Sequence, residues 1–182
     1  ISTLDLNNPV NWLNPVSFNG ASGYAIAMAN GNIYFATANG LYEMPDAGIT
    51  SLKSADSKLR KIATGLSWNV VTMPGRLLVG RDDGLFEVKG GRLAPVDQTT
   101  GYWICQPVGG PVQPGGIVAG NYRGVVMFNQ QNGILAKSKD FSSINTSARF
   151  VEYDSSTASI WMSHPYRGVY KILLKDFSIH KY

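Results

Sequence analysis

A short apolar–turn–apolar motif recurs four times along this chain at a nearly constant spacing. The second half of the motif begins each time at a glycine, at Gly40, Gly84, Gly124 and Gly168. Subtracting these positions gives intervals of 44, 40 and 44 residues. Self-similarity with a period of this size is typical of repeat folds, in which each repeat forms one supersecondary unit.

Each repeat contains four short apolar segments. One segment precedes the motif, the motif itself supplies two, and a weaker segment follows it. The segments before the motif are 23–29, 68–73, 102–105 and 149–153, the motifs are 33–44, 77–88, 117–128 and 160–172, and the segments after it are 59–63, 92–96, 133–136 and 177–180. Four short strands per period of about 40 residues is the pattern of a β-propeller blade.

The second segment of each repeat is apolar at consecutive positions, as in Leu77-Leu78-Val79. Continuous apolar runs indicate strands that are covered on both faces, as stacked blades are. The position after the run is always small, which suits sheets that crowd together towards an axis. These small residues are Ala36, Gly80, Gly120 and Ser163.

We therefore predict an all-β fold of four four-stranded antiparallel blades within a single propeller segment. The predicted boundaries are near 20–64, 65–98, 99–144 and 145–182, with 1–19 as an N-terminal strand or closing segment. The predicted core, between or within the blades, includes Phe35, Val79, Val118, Trp161, Leu41, Leu85 and Val125.

Composition and charge exclude several classes of protein. Hydrophobic residues make up 44% of the chain and charged residues 15%, whereas disordered chains are rich in charge and poor in apolar residues. The net charge of +4 is not concentrated, and Asp56 interrupts the densest basic stretch, 53–61. A solvated outer strand explains this stretch better than a groove that follows phosphates, so no nucleic-acid partner is expected.

The cysteine content and the ends of the chain say little about its compartment. Cys105, alone in the sequence, cannot form an intrachain disulfide, and we predict an inert, buried thiol. No stretch approaches the roughly 18 apolar residues of a membrane span, so no direct membrane contact is expected from this segment. The chain begins at Ile1, which indicates either processing or a cut from a longer protein, and we favour the second interpretation.

The sequence contains few candidates for catalysis. His164 and His180 lack ligand-type partners at helical spacing, and Asp82-Asp83-Gly84 lacks the spaced acidic ligands of a calcium loop. No glycine-rich phosphate loop follows a strand and opens a helix. We therefore expect no enzyme activity, no cofactor and no metal site.

Recognition of a ligand has more support than catalysis. The turns between the second and third strands of the last two repeats carry aromatic and basic residues, and equivalent turns of a propeller emerge on one face. Such side chains can stack on a sugar or aromatic ring and donate hydrogen bonds to hydroxyl or carboxylate groups. The alternative is that they only pack the hairpins. The candidate ligand-binding residues are Tyr122, Arg123, His164, Tyr166, Arg167 and Arg81.

The motif resembles the two-component regulator propeller repeat, most closely in the segment that runs from Ile160-Trp161-Met162-Ser163 to Gly168-Val169-Tyr170. The resemblance covers about residues 20 to 175. It implies the periplasmic or other extracytoplasmic sensor domain of a bacterial hybrid two-component sensor or membrane-bound transcriptional regulator. It also implies further blades and signalling domains, because such propellers usually have more than four blades.

The sequence is compatible with three functions, of which the first is preferred. The first is a ligand-sensing or interaction domain of a bacterial signal-transduction receptor, with a glycan-derived ligand as one candidate. The second is an interaction propeller with a protein partner and no small ligand, and the third is a propeller hydrolase or lyase. For assembly, we expect an open arc that self-associates as a two-fold dimer, since Trp12, Leu13 and Val16 can cover one apolar end but not both.

Overall fold

The computed structural model describes residues 18–46, 58–108 and 116–182. These residues form four sheets, and each sheet consists of four consecutive antiparallel strands. The sheets coincide with the sequence repeats, which confirms the prediction of four four-stranded blades. Residues 33–36, 77–80, 117–120 and 160–163 lie in equivalent second strands, as expected.

The strands follow one another in chain order across each blade. Blade one contains β1 (Gly23–Ala29), β2 (Asn32–Thr37), β3 (Gly40–Pro45) and β4 (Arg60–Thr64). Blade two contains β5 (Ser67–Met73), β6 (Arg76–Arg81), β7 (Gly84–Lys89) and β8 (Arg92–Asp97). Blade three contains β9 (Tyr102–Val108), β10 (Gly116–Asn121), β11 (Val125–Gln131) and β12 (Ile134–Asp140). After a short 3-10 helix at Ser142–Ile144, blade four contains β13 (Phe150–Asp154), β14 (Ser159–His164), β15 (Gly168–Leu173) and β16 (Ile179–Lys181).

The motif glycines are required by the close approach of the fourth strand or the residues that follow it. A Cβ atom at Gly40 would lie 2.6 Å from the carbonyl oxygen of Ala63, and one at Gly168 would lie 2.6 Å from that of Tyr182. The same overlap would occur in blades two and three. Because the obstacle is backbone rather than a flexible side chain, any larger residue would push the strands apart.

The first strand of each blade lies on the inside of the assembly. There β1 packs on β5, β5 on β9 and β9 on β13. No comparable packing joins β13 to β1 among the described residues. The four blades therefore form an open arc, with three apolar cores between neighbouring blades.

The open ends explain which predicted core residues are buried. Within each second strand, one position faces the preceding blade and the next faces the following blade. Val79 faces the preceding blade and Val118 the following blade, and both are fully buried. Phe35 in blade one and Trp161 in blade four occupy the equivalent positions but are half-exposed. The prediction was correct for Val79, Val118, Leu41, Leu85 and Val125, and wrong for Phe35 and Trp161. Those two residues face the sides of the arc where the described residues form no further blade.

Both end faces expose apolar side chains. On blade one, Ile26 is 63% exposed and Met28 is 58% exposed. On blade four, Phe150 and Tyr182 are exposed in the same way. Trp12, Leu13 and Val16, expected to cover one end, lie outside the described residues.

A polar link connects blades two and three inside this apolar stack. The hydroxyl of Tyr102 donates to Asp97 Oδ2 at 2.5 Å, and Lys137 Nζ lies 2.8 Å from the same oxygen. Burial opposes ionisation of Asp97, but hydrogen bonds from Lys137, Tyr102 and Thr99 outweigh it and hold the pKa of Asp97 below its usual value. Cys105 is buried as predicted, and burial raises the pKa of its thiol to about 12.

Candidate functional site

The turns between second and third strands lie beside the beginnings of the first strands. The backbone N–H of Ala38 donates to the carbonyl oxygen of Ser22 at 2.9 Å, and that of Tyr122 donates to the carbonyl oxygen of Gly101 at 3.1 Å. Blade two repeats the contact through Asp82. One face of the arc, which we call the turn face, is therefore formed by the hairpin turns together with the loops that enter each blade.

Tyr122 is a half-buried residue of the turn face. Its ring centroid lies 4.9 Å from that of Trp103, and its hydroxyl accepts a 2.8 Å hydrogen bond from Trp68 Nε1. Burial raises the pKa of Tyr122, the hydrogen bond from Trp68 opposes this rise, and the negative charge of Asp82 adds to it. Tyr122 is therefore neutral at physiological pH, with its hydroxyl proton available for donation.

Arg123 and Arg167 both lie next to the loop that joins blades three and four. The carbonyl oxygen of Arg123 accepts a hydrogen bond from the N–H of Thr146 at 3.1 Å. Arg167 Nη1 lies 3.4 Å from the carbonyl oxygen of Asn145. Both side chains are exposed, so the loop brings the two predicted arginines to one stretch of surface.

His164 and Tyr166 shape the turn of blade four. The backbone N–H of Tyr166 donates to His164 Nδ1 at 3.2 Å, and the two rings lie edge to face at 6.1 Å. Tyr166 is 93% exposed. Among the described residues, the ring of Tyr166 makes no contact with that of Tyr122, so the two predicted tyrosines lie on the turn face without touching.

Arg81 does not belong to this surface, contrary to expectation. Its side chain is buried, with Nε 2.8 Å from Asp83 Oδ1 and Nη2 2.9 Å from the carbonyl oxygen of Thr64. The hydrogen bond from Arg81 is the main reason why the pKa of Asp83 is lowered. The arginine therefore joins the turn of blade two to its fourth strand, and its side chain is not part of the exposed surface.

Sequence reasoning missed four residues at the start of the first strands. Tyr24, Trp68 and Trp103 occupy the same place in three repeats, and Arg149 occupies it in the fourth. The signal was present as an aromatic residue directly after the first residue of β1, β5 and β9. An aromatic residue within an apolar run cannot be distinguished by sequence pattern from a core residue of the same strand.

The face of the arc opposite to the turn face contains a cleft of about 440 Å³ between blades one and two. Its charged groups are already paired with one another: Arg60 with Glu43, and Arg76 with Glu87 at 2.7 Å. Such a cleft offers few free charges to a ligand. The turn face is the stronger candidate for recognition.

Neither a metal-binding cluster nor a membrane-spanning helix occurs in the described part of the chain. Residues 18–46, 58–108 and 116–182 contain no group of three or more His, Cys, Asp or Glu side chains arranged to hold a metal ion. In the same residues, no helix has the length and apolar character needed to cross a membrane.

Solved structures with a similar fold include two bacterial sensor domains. The extracellular domain of the hybrid two-component system BT3049 from B. thetaiotaomicron matches with a TM-score of 0.63 and 14% identity, over 88% of this chain and 24% of that one. The extracellular domain of BT4673 from the same organism, described as a hybrid two-component system, matches with a TM-score of 0.62 and 12% identity, over 87% and 22% of the two chains. This chain thus spans about a quarter of their length.

A computationally designed protein, Ika8, is also similar, with a TM-score of 0.55 and 10% identity over 86% of this chain and 47% of that one. No protein-family model and no curated protein matches the sequence. At these identities, the likeness establishes the fold.

Proposed function

We propose that this chain is part of the extracytoplasmic propeller of a bacterial signal-transduction receptor of the two-component regulator propeller type, and that it recognises a ligand on its turn face. Three observations support the proposal: the repeat motif, the similarity to extracellular domains of two-component systems, and an open arc that spans about a quarter of their length. Further blades of the same receptor would cover the apolar end faces, and a periplasmic location follows from the resemblance.

The observation that carries the ligand proposal is the exposed surface around the loop between blades three and four. Arg123 and Arg167 flank this loop, and His164 and Tyr166 lie in the adjoining turn. Tyrosine and arginine together provide a stacking surface and directed donors for hydroxyl or carboxylate groups. A glycan-derived ligand fits these groups, and the role is recognition without catalysis.

Calorimetric titration of the purified chain with a panel of oligosaccharides tests this proposal. Replacing Arg123 and Arg167 together by alanine should weaken binding by about tenfold or more, because charged hydrogen bonds to a ligand are lost. Arg92→Ala, at an exposed arginine at the opposite end of the blades, serves as the control. If the double variant bound the panel as tightly as the parent, the proposed surface would be wrong.

A protein partner is the second candidate function. It is favoured by the exposed apolar residues Ile26 and Met28 on one end face, together with Phe150 on the other. Large exposed apolar patches mark protein interaction sites more often than free surface. Retention of a receptor-derived protein segment by the chain, without binding of any oligosaccharide, would favour this alternative.

A further inference from the structure

Three first strands contain a β-bulge at the same point. In each case the strand gains one residue relative to the second strand, and the extra residue is Tyr24 in β1, Trp68 in β5 and Trp103 in β9. A bulge re-aims the side chain that it carries and is often found beside functional sites. At the turn face, the side chains of these three aromatic residues therefore depart from the regular alternation of side-chain direction along the strand.

The bulged rings form a continuous row with Tyr122. The centroids of Tyr24 and Trp68 lie 4.9 Å apart, those of Trp68 and Trp103 lie 4.3 Å apart, and those of Trp103 and Tyr122 lie 4.9 Å apart. We call these four residues the aromatic row. The row crosses from blade one to blade three, so it depends on the arc and not on any one blade.

Hydrogen bonds within the protein hold the row in place. Trp68 Nε1 donates to the hydroxyl of Tyr122 at 2.8 Å, and Trp103 Nε1 donates to Ser147 Oγ at 2.7 Å. Both indole N–H groups are therefore satisfied without a ligand. A surface ordered in advance binds with less loss of conformational freedom.

The row is accessible to solvent along part of its length. Tyr24 is 43% exposed, and the other three residues are half-buried. Neighbouring rings are tilted by 43° to 56° from one another, so they do not form a parallel-sided slot. Such a row suits a sugar ring laid on one aromatic face better than a flat ring inserted between two.

Positive charge borders the row at its blade-four side. Arg149 lies over Trp103, with its guanidinium carbon 5.2 Å from the ring centroid. Arg123 and Arg167 adjoin the same loop, residues 145–149. Among the described residues, none of these three arginines forms an ion pair with a carboxylate. Unpaired guanidinium groups favour carboxylate or sulfate ligands, which they bind through two parallel hydrogen bonds.

We infer that the aromatic row, together with Arg149, binds an acidic saccharide. A sugar ring stacks on the exposed faces of the row, and its carboxylate or sulfate group contacts Arg149 and Arg123. The exposed Asp82, near the hydroxyl of Tyr122, is placed to accept from a sugar hydroxyl. This inference rests on the proposed function, because it specifies the ligand class and the contact surface.

Matched pairs of oligosaccharides test the inference on the intact chain. The probes are a galacturonate trisaccharide with its methyl ester, and a sulfated chondroitin disaccharide with its desulfated form, within a wider set of acidic and neutral glycans. Binding is followed by quenching of tryptophan fluorescence after Trp12 and Trp161 have been replaced by phenylalanine, so that Trp68 and Trp103 report.

We expect at least one acidic probe to bind, to quench the remaining fluorescence, and to lose about tenfold or more in affinity when its charge is removed. Comparison of the uronate and sulfate pairs identifies the anionic group. Arg149→Gln and Tyr24→Ala should each weaken this binding by about tenfold to 100-fold. Arg92→Gln and Tyr182→Ala, at exposed positions away from the row, should leave it unchanged.

The two proposals fail in different ways. If neutral glycans bind as well as acidic ones, or if binding leaves the tryptophan fluorescence unchanged and tolerates Tyr24→Ala, the inference is wrong while the proposed function stands. If no glycan in the set binds at all, both the inference and the glycan-recognition function are wrong. Circular dichroism of each variant confirms that a lost signal is not a lost fold.

Discussion

Replacing Gly120 by alanine tests the packing of blade four on blade three. Gly120 occupies the small position at the end of the second strand in blade three, and a Cβ there would overlap the carbonyl oxygen of Ala148 and lie 2.7 Å from Val151 Cγ2. Both obstacles belong to the chain that enters and begins blade four. Because a carbonyl oxygen in the backbone cannot rotate away, the blades must separate to admit the methyl group.

The expected cost is about 3 kcal/mol, at the upper end of the 1–3 kcal/mol found for overpacked interiors. For a domain of this size, that corresponds to a fall in Tm of about 6–12 °C. Gly80→Ala should cost somewhat less, since its Cβ would lie 2.7 Å from the carbonyl oxygen of Tyr102. Gly23→Ala is the matched control, because a Cβ there meets nothing within 4 Å.

Thermal unfolding followed by circular dichroism measures all three variants under the same conditions. The structure predicts the order Gly120→Ala, then Gly80→Ala, then Gly23→Ala, with the last unfolding close to the parent. If Gly120→Ala unfolded at the parental temperature, or if Gly23→Ala were the most destabilised, the packing of adjacent blades described above would be incorrect.

Three further predictions concern burial, charge and assembly. Leu78→Ala should lower the free energy of unfolding in urea by about 2–5 kcal/mol, because Leu78 is fully buried. Trp161→Ala should cost less, although it removes more atoms. If Trp161→Ala cost more than Leu78→Ala, the face of blade four that contains Trp161 would have to be covered. Asp97→Asn should lower stability at pH 7 by about 1–3 kcal/mol, since Asp97 binds Tyr102 and Lys137 as a carboxylate. Because the pKa of Asp97 is lowered, this contribution is present above the ordinary carboxyl pKa of about 3.9 and is lost as pH falls below it. The stabilities of the parent and the variant should therefore become equal in acid. A difference in stability that persisted at low pH would contradict this linkage. Light scattering at tens of micromolar should give the mass of a dimer joined through the apolar ends, and a monomer at every concentration would show that the ends do not associate.

The arrangement of strands could be predicted because every repeat contains the same local information. Four runs of apolar residues, separated by turns and ordered in the same way, leave few alternatives to a four-stranded antiparallel blade. The predicted crowding at the small position is found in blades two and three. Gly80 and Gly120 meet the backbone that leads into the next blade, which is the crowding expected near an axis.

The exposure of the ends could not be obtained from the same pattern. Phe35 and Trp161 occupy positions whose equivalents in other blades are buried, but no neighbouring blade covers them among the described residues. A local motif contains no information about the neighbours of the first and last repeats. The burial of these positions depends on whether another blade stacks against them.

The candidate site was predicted only in part. The turn residues of blades three and four reach the surface, but Arg81 is buried because Asp83 and Thr64 hold its guanidinium group. The bulges that expose Trp68 and Trp103 depend on the register between strands. A one-residue change in register reverses the direction of a side chain, and composition does not reveal where it occurs.

Oxidation of the five methionines tests the open arc most directly. Met28 lies on the outer face of blade one and is 58% exposed, while Met44, Met73, Met127 and Met162 are all buried, at 2%, 8%, 0% and 1% exposure. Because oxidation of methionine by dilute hydrogen peroxide follows exposure, mass spectrometry of the peptides should find Met28 oxidised about tenfold faster than the others in dilute, monomeric protein. At concentrations where the chain associates, Met28 should become protected. Slow oxidation of Met28 in the monomer, or similar rates at all five positions, would contradict an arc of four blades with an uncovered first face.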